Sequence, residues 1–241
     1  MQWIVCGLGL IIGSFLNVCI YRIPKKESIV FPASHCPICN HKIKWYENIP
    51  VLSYVFLLRG RCSQCKSHIS IQYPIVELIT GVLFYIFYMK FGYSVLTLKY
   101  LIFIPLLIIA IWVDFEHYYI PDRISLSIFL LGIIGSFFTN GFERSFIGAG
   151  SFSLFFLLLY GFGESFGKEL MGFGDVKLAL GIGAIIGYIS LYQVFIFLNI
   201  AFVTGAIVGV ILILLKIKTR KDIMPFGPYI GIAGLVMAYI S

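Results

Sequence analysis

Four cysteines and two aspartates carry the chemistry that residue type and spacing allow in this chain. Cys36-Pro37-Ile38-Cys39 and Cys62-Ser63-Gln64-Cys65 are two CxxC pairs on either side of residues 40–61. Two close pairs of thiolates suit the tetrahedral preference of Zn²⁺, each short turn presenting two sulfurs to one ion. Four protein ligands close such a site, so its role is structural. A disulfide or unligated thiols are the alternatives, and a cytosolic setting disfavours the disulfide. The aspartates are Asp114, after Ile111-Trp112-Val113, and Asp175, which ends Gly172-Phe173-Gly174-Asp175 ahead of another apolar run. Charge bordering an apolar span is costly and therefore a functional candidate. Two carboxyl groups sharing a proton can activate water and protonate a leaving amine, and they titrate as a pair. The competing reading is a set of solvated acids or caps. Asp122, after Pro121 and before an apolar run, looks like a helix N-cap. From chemistry alone the two readings stand level.

The elements that must position these residues are membrane helices. The chain is 60% hydrophobic and only 12% charged, about half the charge of an ordinary soluble domain. Uncharged runs predict helices over 2–21, 74–89, 94–113, 124–142 and 145–163. Residues 178–215 would make ~57 Å of helix against a hydrocarbon core of ~30 Å, so two helices are expected there, turning near 188–193. An eighth is expected over 224–240. All spans should be helical, because isolated strands cannot satisfy their backbone in lipid. The expected fold is an all-α polytopic membrane protein of about eight transmembrane helices with a small zinc-binding cytosolic loop domain. Its parts are a first helix (1–22), the loop domain (23–73) and a seven-helix membrane domain (74–241). The first apolar run has its charges, Arg22, Lys25 and Lys26, behind it and no small-residue cleavage site, so it reads as a retained helix.

The net charge of +7 does not point to nucleic acid, since no basic stripe with interleaved aromatics is present. Of the eighteen Lys and Arg residues, only Lys90, Lys99 and Arg144 fall opposite the side of the 22–73 loop. That asymmetry puts the loop and both aspartates in the cytosol, with the N- and C-termini outside. A segment of about fifty residues has little core of its own, and metal closure would help it fold. Cys6 and Cys19 read as small apolar packing residues. His35, His41 and His68 read as solvated loop residues, with a swapped metal ligand as the alternative. The pairs Gly9/Gly13 and Gly205/Gly209 would let helices pack closely.

Together these segments resemble the bacterial type IV prepilin peptidases. The resemblance rests on Gly13-Ser14-Phe15-Leu16-Asn17-Val18, Tyr21-Arg22-Ile23-Pro24, both CxxC pairs and Asn48-Ile49-Pro50-Val51-Leu52-Ser53-Tyr54. It continues through Tyr73-Pro74-Ile75-Val76-Glu77, the segment from Asp114 to Pro121-Asp122, and Gly172-Phe173-Gly174-Asp175-Val176-Lys177. It covers essentially the whole chain. It implies a GxGD aspartic protease of the bacterial inner membrane, with Asp114 and Asp175 catalytic and Asp122 in support. The implied substrates are type IV prepilins or pseudopilins, which lose a short basic leader, usually after a glycine. Many members of the family also N-methylate the new N-terminus with S-adenosylmethionine. Asn17, Glu77 and Gly81 are the candidates for that second site, against a reading as helix packing and a helix-start acid.

The leader's basic charge draws attention to Glu47, Glu116, Glu164 and Glu169, although exposed pairs are worth only ~0–1 kcal/mol. Depth matching at the membrane boundary is therefore expected to matter more than leader charge. The rival classes are a small transporter, for which Gln193 and Asn199 are the only obvious polar residues of the long apolar run, and an assembly protein that docks partners through a zinc loop.

Overall fold

The computed structural model describes residues 1–139, 141–167, 171–219 and 222–241. Lys168, Arg220 and Lys221 of the charge asymmetry, and Glu169 of the leader-facing acids, lie outside the described residues. Eight α-helices are present among the described residues: α1 (Gln2–Arg22), α2 (Gln72–Phe91), α3 (Val95–His117), α4 (Asp122–Ser136), α5 (Phe142–Ser165), α6 (Phe173–Ile186), α7 (Leu191–Leu214) and α8 (Gly227–Ile240). The all-helical class is as expected, and the turn between α6 and α7 falls where the long apolar run had to break.

The number of crossings is a separate matter. Among the described residues five helices, α1, α2, α3, α5 and α7, are long and apolar enough to cross a membrane. The others have 15, 14 and 14 residues, about 21–23 Å of helix, short of a ~30 Å hydrocarbon core. Helix α4 also ends earlier than its apolar pattern. The chain turns after Ser136, whose carbonyl accepts the Gly141 N–H, and Phe137 stacks on Phe142 across the turn. Apolarity continues there while the helix does not.

Packing divides the chain into Met1–Thr97 and Leu98–Ser241. This differs from the partition by polarity at residues 22 and 73, because packing joins α2 to α1. The two helices form an antiparallel hairpin. A Cβ on Gly13 would lie 2.6 Å from the Glu77 Cα, and one on Gly9 2.8 Å from the Gly81 Cα. Only glycine permits this approach, so the Gly9/Gly13 spacing is used. Trp3 meets Tyr85 at the far end, with ring centroids 5.4 Å apart.

The segment joining α1 to α2 contains the same turn twice, 26 residues apart. In the first copy the Cys36 N–H donates to the His41 carbonyl and that of Asn40 to the Cys36 carbonyl; Cys62, Ser67 and Lys66 repeat both bonds. Asn40 and Lys66 both adopt positive φ, at 57° and 59°. Each turn is closed by an antiparallel bridge, His35 with Lys42 and Arg61 with His68. Arg22, at the end of α1, is buried and donates to the carbonyls of Ser28 and Pro32, which folds the entry to the module.

In the second unit α6 is the central helix, packed on α4, α5 and α8. Ten of its residues, Asp175 among them, are buried. At its crossing with α5, a Cβ on Gly183 would collide with the Gly148 carbonyl oxygen. Backbone meets backbone there. Lys99 lies inside α3, within the helix expected there, and is buried at 3% exposed. Its Nζ donates to the Ile185 carbonyl at 2.8 Å and to Thr139 Oγ1 at 3.1 Å. An ammonium at the C-terminal end of α6 meets carbonyls that the helix cannot satisfy itself.

Candidate active site

Asp114 sits in the last turn of α3 and Asp175 in the first turn of α6, 5% and 7% exposed. Far apart in the chain, they meet within one unit, where Ile120 lies against both Gly174, the neighbour of Asp175, and Gly227, which holds Asp114. Neither forms an ion pair among the described residues, and buried carboxyl groups without a cation are not ordinary solvated acids. Their surroundings differ. Asp114 Oδ2 accepts the Gly227 N–H at 2.8 Å, from the first residue of α8. That donor has no partner within its own helix. A Cβ on Gly227 would lie 2.6 Å from Asp114 Oδ2. The side chain of Asp175 has one oxygen beside Gly172, while Oδ1 is buried without a hydrogen-bond partner among the described residues.

Ile120 packs beside the site. It is buried, with its side chain 3.3 Å from where a Gly174 Cβ would be and 3.1 Å from that of Gly227. The second glycine of Gly172-Phe173-Gly174-Asp175 thus makes room for Ile120. Tyr118, at a φ of 59°, turns the chain so that Ile120 reaches this position. Sequence reasoning missed both Gly227 and Ile120. The signal available was Pro225-Phe226-Gly227-Pro228, a helix start with a proline in its first turn.

Asp122 is not the N-cap it was expected to be. It is the first residue of α4, behind Pro121 as cap, and makes no capping bond. Its Oδ1 instead receives Lys177 Nζ at 2.7 Å, an exposed pair joining the starts of α4 and α6 two residues beyond Asp175. Glu47 is likewise not a free acid. It is buried, and its Oε2 accepts the Lys44 N–H at 2.9 Å with His41 at 3.7 Å. That bond from the Lys44 backbone holds its carboxyl below the usual range. Glu116 and Glu164 remain exposed. Gln193 and Asn199, the polar residues a transporter would need, are engaged locally. Gln193 Oε1 accepts the Ile189 N–H, and Asn199 donates to the Phe195 carbonyl.

In the first unit, Cys36, Cys39, Cys62 and Cys65 have their sulfurs within 4.8 Å of one another. Cys36 and Cys65 are 3.8 Å apart, and Cys39 and Cys62 3.9 Å. Four bonds of ~2.3 Å in a tetrahedron put sulfurs ~3.8 Å apart, so the cluster could hold one metal ion of zinc's size. The Cys39 N–H, helped by that of Ile38 and opposed by burial, holds the Cys36 thiol down to about 6. Against the His41 N–H, burial and the neighbouring sulfurs push the Cys39 thiol up to about 11, so the cluster shares its negative charge. Among the described residues no histidine joins this cluster. Cys19 is buried in α1 as a packing residue, apart from the four.

A cavity of about 420 Å³ lies beside the cysteine module, lined by Asn17, Tyr21, Tyr54, Tyr73 and Glu77 among others. Asn17 is buried and donates to the carbonyls of Gly13 and Tyr73. Glu77 is buried where α1 and α2 pack, and its carboxylate is engaged. Its Oε2 accepts the Val51 N–H at 2.7 Å, and Val51 is held at a φ of 58°, an uncommon state for a β-branched residue. Gly81 is not on the cavity. It faces α1, where a Cβ would lie 2.8 Å from Leu10 Cδ2.

Comparisons with known proteins match this architecture in two pieces. Residues 8–91 fit the model described as the bacterial peptidase A24 N-terminal domain, and residues 101–210 that of the type IV leader peptidase family. The gap between them coincides with the boundary between the packing units. The prepilin leader peptidase/N-methyltransferase of Legionella pneumophila is 35% identical over 99% of this chain and 91% of its own length. That of Xanthomonas campestris pv. campestris is 34% identical over 97% and 89%. The namesake from Myxococcus xanthus is 38% identical over 86% of this chain, which spans 62% of that longer relative. No solved structure matches. On these matches, over nearly its full length, the chain belongs to the type IV leader peptidase family.

Proposed function

We propose that Asp114 and Asp175 are the catalytic pair of a membrane aspartic peptidase that removes the short basic leader of type IV prepilins or pseudopilins. One observation carries this reading: two buried acids on different helices, neither paired with a cation among the described residues, with the buried Ile120 beside them. One carboxylate takes a proton from water as that water attacks the scissile carbonyl, and the other gives its proton to the carbonyl oxygen. When the C–N bond breaks, the leaving amine takes a proton from the pair. The Gly227 N–H fixes the orientation of Asp114, and the unpartnered Oδ1 of Asp175 is free to hold the shared proton. The test is cleavage of a prepilin by purified Asp114→Asn and Asp175→Asn. Wild-type rates for either variant would end the proposal.

The same chain is proposed to lie in the bacterial inner membrane with eight crossings, the 22–73 segment and both aspartates cytosolic, and both termini outside. The support is the lysine and arginine asymmetry. A reporter fused after Lys44 should be active only in its cytosolic form. The leader would stay in the cytosol while the apolar helix behind it enters the membrane, which brings the scissile bond to the depth of the pair. Moving the cleavage glycine along that boundary should impair cleavage more than neutralising single leader lysines.

The second proposed activity is N-methylation of the new N-terminus. The cavity lined by Asn17 and Glu77 is within the ~300–1,000 Å³ of small-molecule sites. Its tyrosines and carboxylates suit a cationic sulfonium compound. S-adenosylmethionine, when bound there, supplies an electrophilic methyl group. Glu77 offers a carboxylate to the cation and holds the Val51 turn as a wall, and Asn17 fixes the end of α1 against Tyr73. Gly81 would act indirectly, by letting α1 and α2 close. Zinc is the proposed occupant of the four cysteines, as a structural ion for the cavity's other wall. Glu77→Gln should weaken S-adenosylmethionine binding, read by calorimetry, and leave leader cleavage intact.

A further inference from the structure

The cysteine module has one turn whose polarity is reversed. In the short helical turn Ser53–Leu57 the polar side chains face inward: Ser53 is buried, and the Tyr54 hydroxyl donates to the Ile69 carbonyl. Leu52, Val55, Phe56 and Leu57 face outward, each at least half exposed and Phe56 at 72%. Together they put a continuous apolar surface on the outside of one short turn. Trp45, in the neighbouring turn Trp45–Asn48 that packs against it, is 82% exposed. A small module facing only water would not place its largest apolar residues on the outside together.

The charges around this turn say what should cover it. Arg59 and Arg61 follow it directly, and Lys42 and Lys44 precede Trp45, all of them exposed. The acids between α1 and α2 are only Glu27 and Glu47, and Glu47 is already engaged. Apolar residues with a tryptophan, bordered by cations, suit the headgroup boundary of an anionic bilayer. A protein groove could accept the apolar face but would not account for the cations around it. The module is also tethered at both ends. Helices α1 and α2 are antiparallel, so Arg22 and Gln72 emerge on the same side and keep the turn near the membrane surface. Such tethering raises the effective concentration of the surface without any new contact.

We propose that the face formed by Leu52, Val55, Phe56 and Trp45 inserts into the anionic lipid headgroup region beside α1 and α2. The module then lies on the membrane as a peripheral element rather than extending into water. This holds the cysteine turns and the adjoining cavity at the bilayer surface, whichever reactions the protein performs.

The test uses the full chain in vesicles of phosphatidylglycerol and phosphatidylcholine, with a fluorescent amino acid at Phe56 or, separately, at the exposed Gln64 of the second cysteine turn. Brominated lipids should quench the label at 56 at least about two-fold more than that at 64, as shallow insertion requires. Arg59→Gln with Arg61→Gln should reduce quenching in anionic vesicles and remove the difference from neutral ones. A label at Val55 repeats the measurement in case the Phe56 variant fails to fold, and metal content checks that the module is intact. Equal quenching at 56 and 64 would overturn the proposal. So would a label at 56 that is shielded from aqueous iodide but not quenched by lipid, since that face would then be covered by protein.

Discussion

The two packing units reach their folds by opposite routes. In the first, the decisive residues are close in sequence. A turn of a few residues is built twice, 26 residues apart, and four sulfurs meet at the spacing a tetrahedral ion requires. In the second, Asp114, Asp175 and Gly227 come from α3, α6 and α8, and they meet only because helices with small residues approach closely. A unit held by local turns and the proposed zinc should fail as a block when the metal is removed. A unit held by distributed helix contacts should tolerate loss of catalytic groups and yet respond sharply to a single added carbon at its centre.

The largest expected effect breaks function and spares the fold. Asp114→Asn and Asp175→Asn keep side-chain volume but cannot share the proton, and each should lower cleavage by roughly 10²–10⁴. Thermal unfolding in detergent should change little, because the amide oxygen introduced by Asp114→Asn can still accept the Gly227 N–H. A large loss of stability in either variant would mean that the pair is structural, and the contrast between the units would then fail.

Metal removal is the reverse case. Thiolate coordination in small zinc modules is worth ~10 kcal/mol or more, and most of this is folding free energy. Cys36→Ser, or a chelator, should therefore release the segment between α1 and α2 to hydrogen exchange while α3 to α8 keep their protection. Methyl transfer should fall further than cleavage, because the cavity borders the cysteine turns and the aspartates belong to the other unit. Uniform loss of protection across both units would show that they are not independent. Purified protein without metal, its thiols freely alkylated, would remove the metal from the account.

How much of this the sequence revealed divides along the same line. The CxxC pairs announce their cluster because the ligands are adjacent and the chemistry of thiolates is specific. Both aspartates were legible, since charge at the end of an apolar run is rare enough to stand out. Gly227 and Ile120 were not. A glycine that donates its N–H to a carboxylate over a hundred residues away looks like any other glycine of a membrane helix. The burial of Lys99 was not legible for a related reason: its place in the expected helix was, but its contacts with Ile185 and Thr139 come from distant segments. Glu47 and Asp122 were read by residue type, as a free acid and as a cap, and each proved to be engaged by a neighbour that the local pattern does not show.

Gly227→Ala gives the next effect in size. The added carbon would lie 2.6 Å from Asp114 Oδ2 and 3.1 Å from Ile120 Cδ1, so the carboxylate must rotate or α8 must shift. Displacement of a reacting group by about 1 Å costs on the order of 10²-fold. The loss should appear in kcat rather than KM, since the glycine touches Asp114 and not the substrate's distal parts. A variant with unchanged kcat would show that the Gly227 contact does not position the pair.

The smallest effect is expected at Asp122. Its side chain is 76% exposed and that of Lys177 36%, so water and salt screen the pair strongly. Exposed ion pairs contribute ~0–1 kcal/mol, and the amide oxygen of Asp122→Asn can still accept a hydrogen bond from Lys177. Cleavage should therefore stay within a few-fold of wild type, by the same figure. The remaining difference should vanish near ~1 M salt, where the screening length is ~3 Å, about the length of the bond itself. Lys177→Met should behave in the same way, and the double variant should lose no more than either single one if the pair acts only through its mutual attraction. A loss at Asp122 approaching that of Asp114→Asn, unaffected by salt, would instead make Asp122 a member of the reacting group. The second unit would then hold a catalytic carboxylate on α4 that its present contacts give to Lys177.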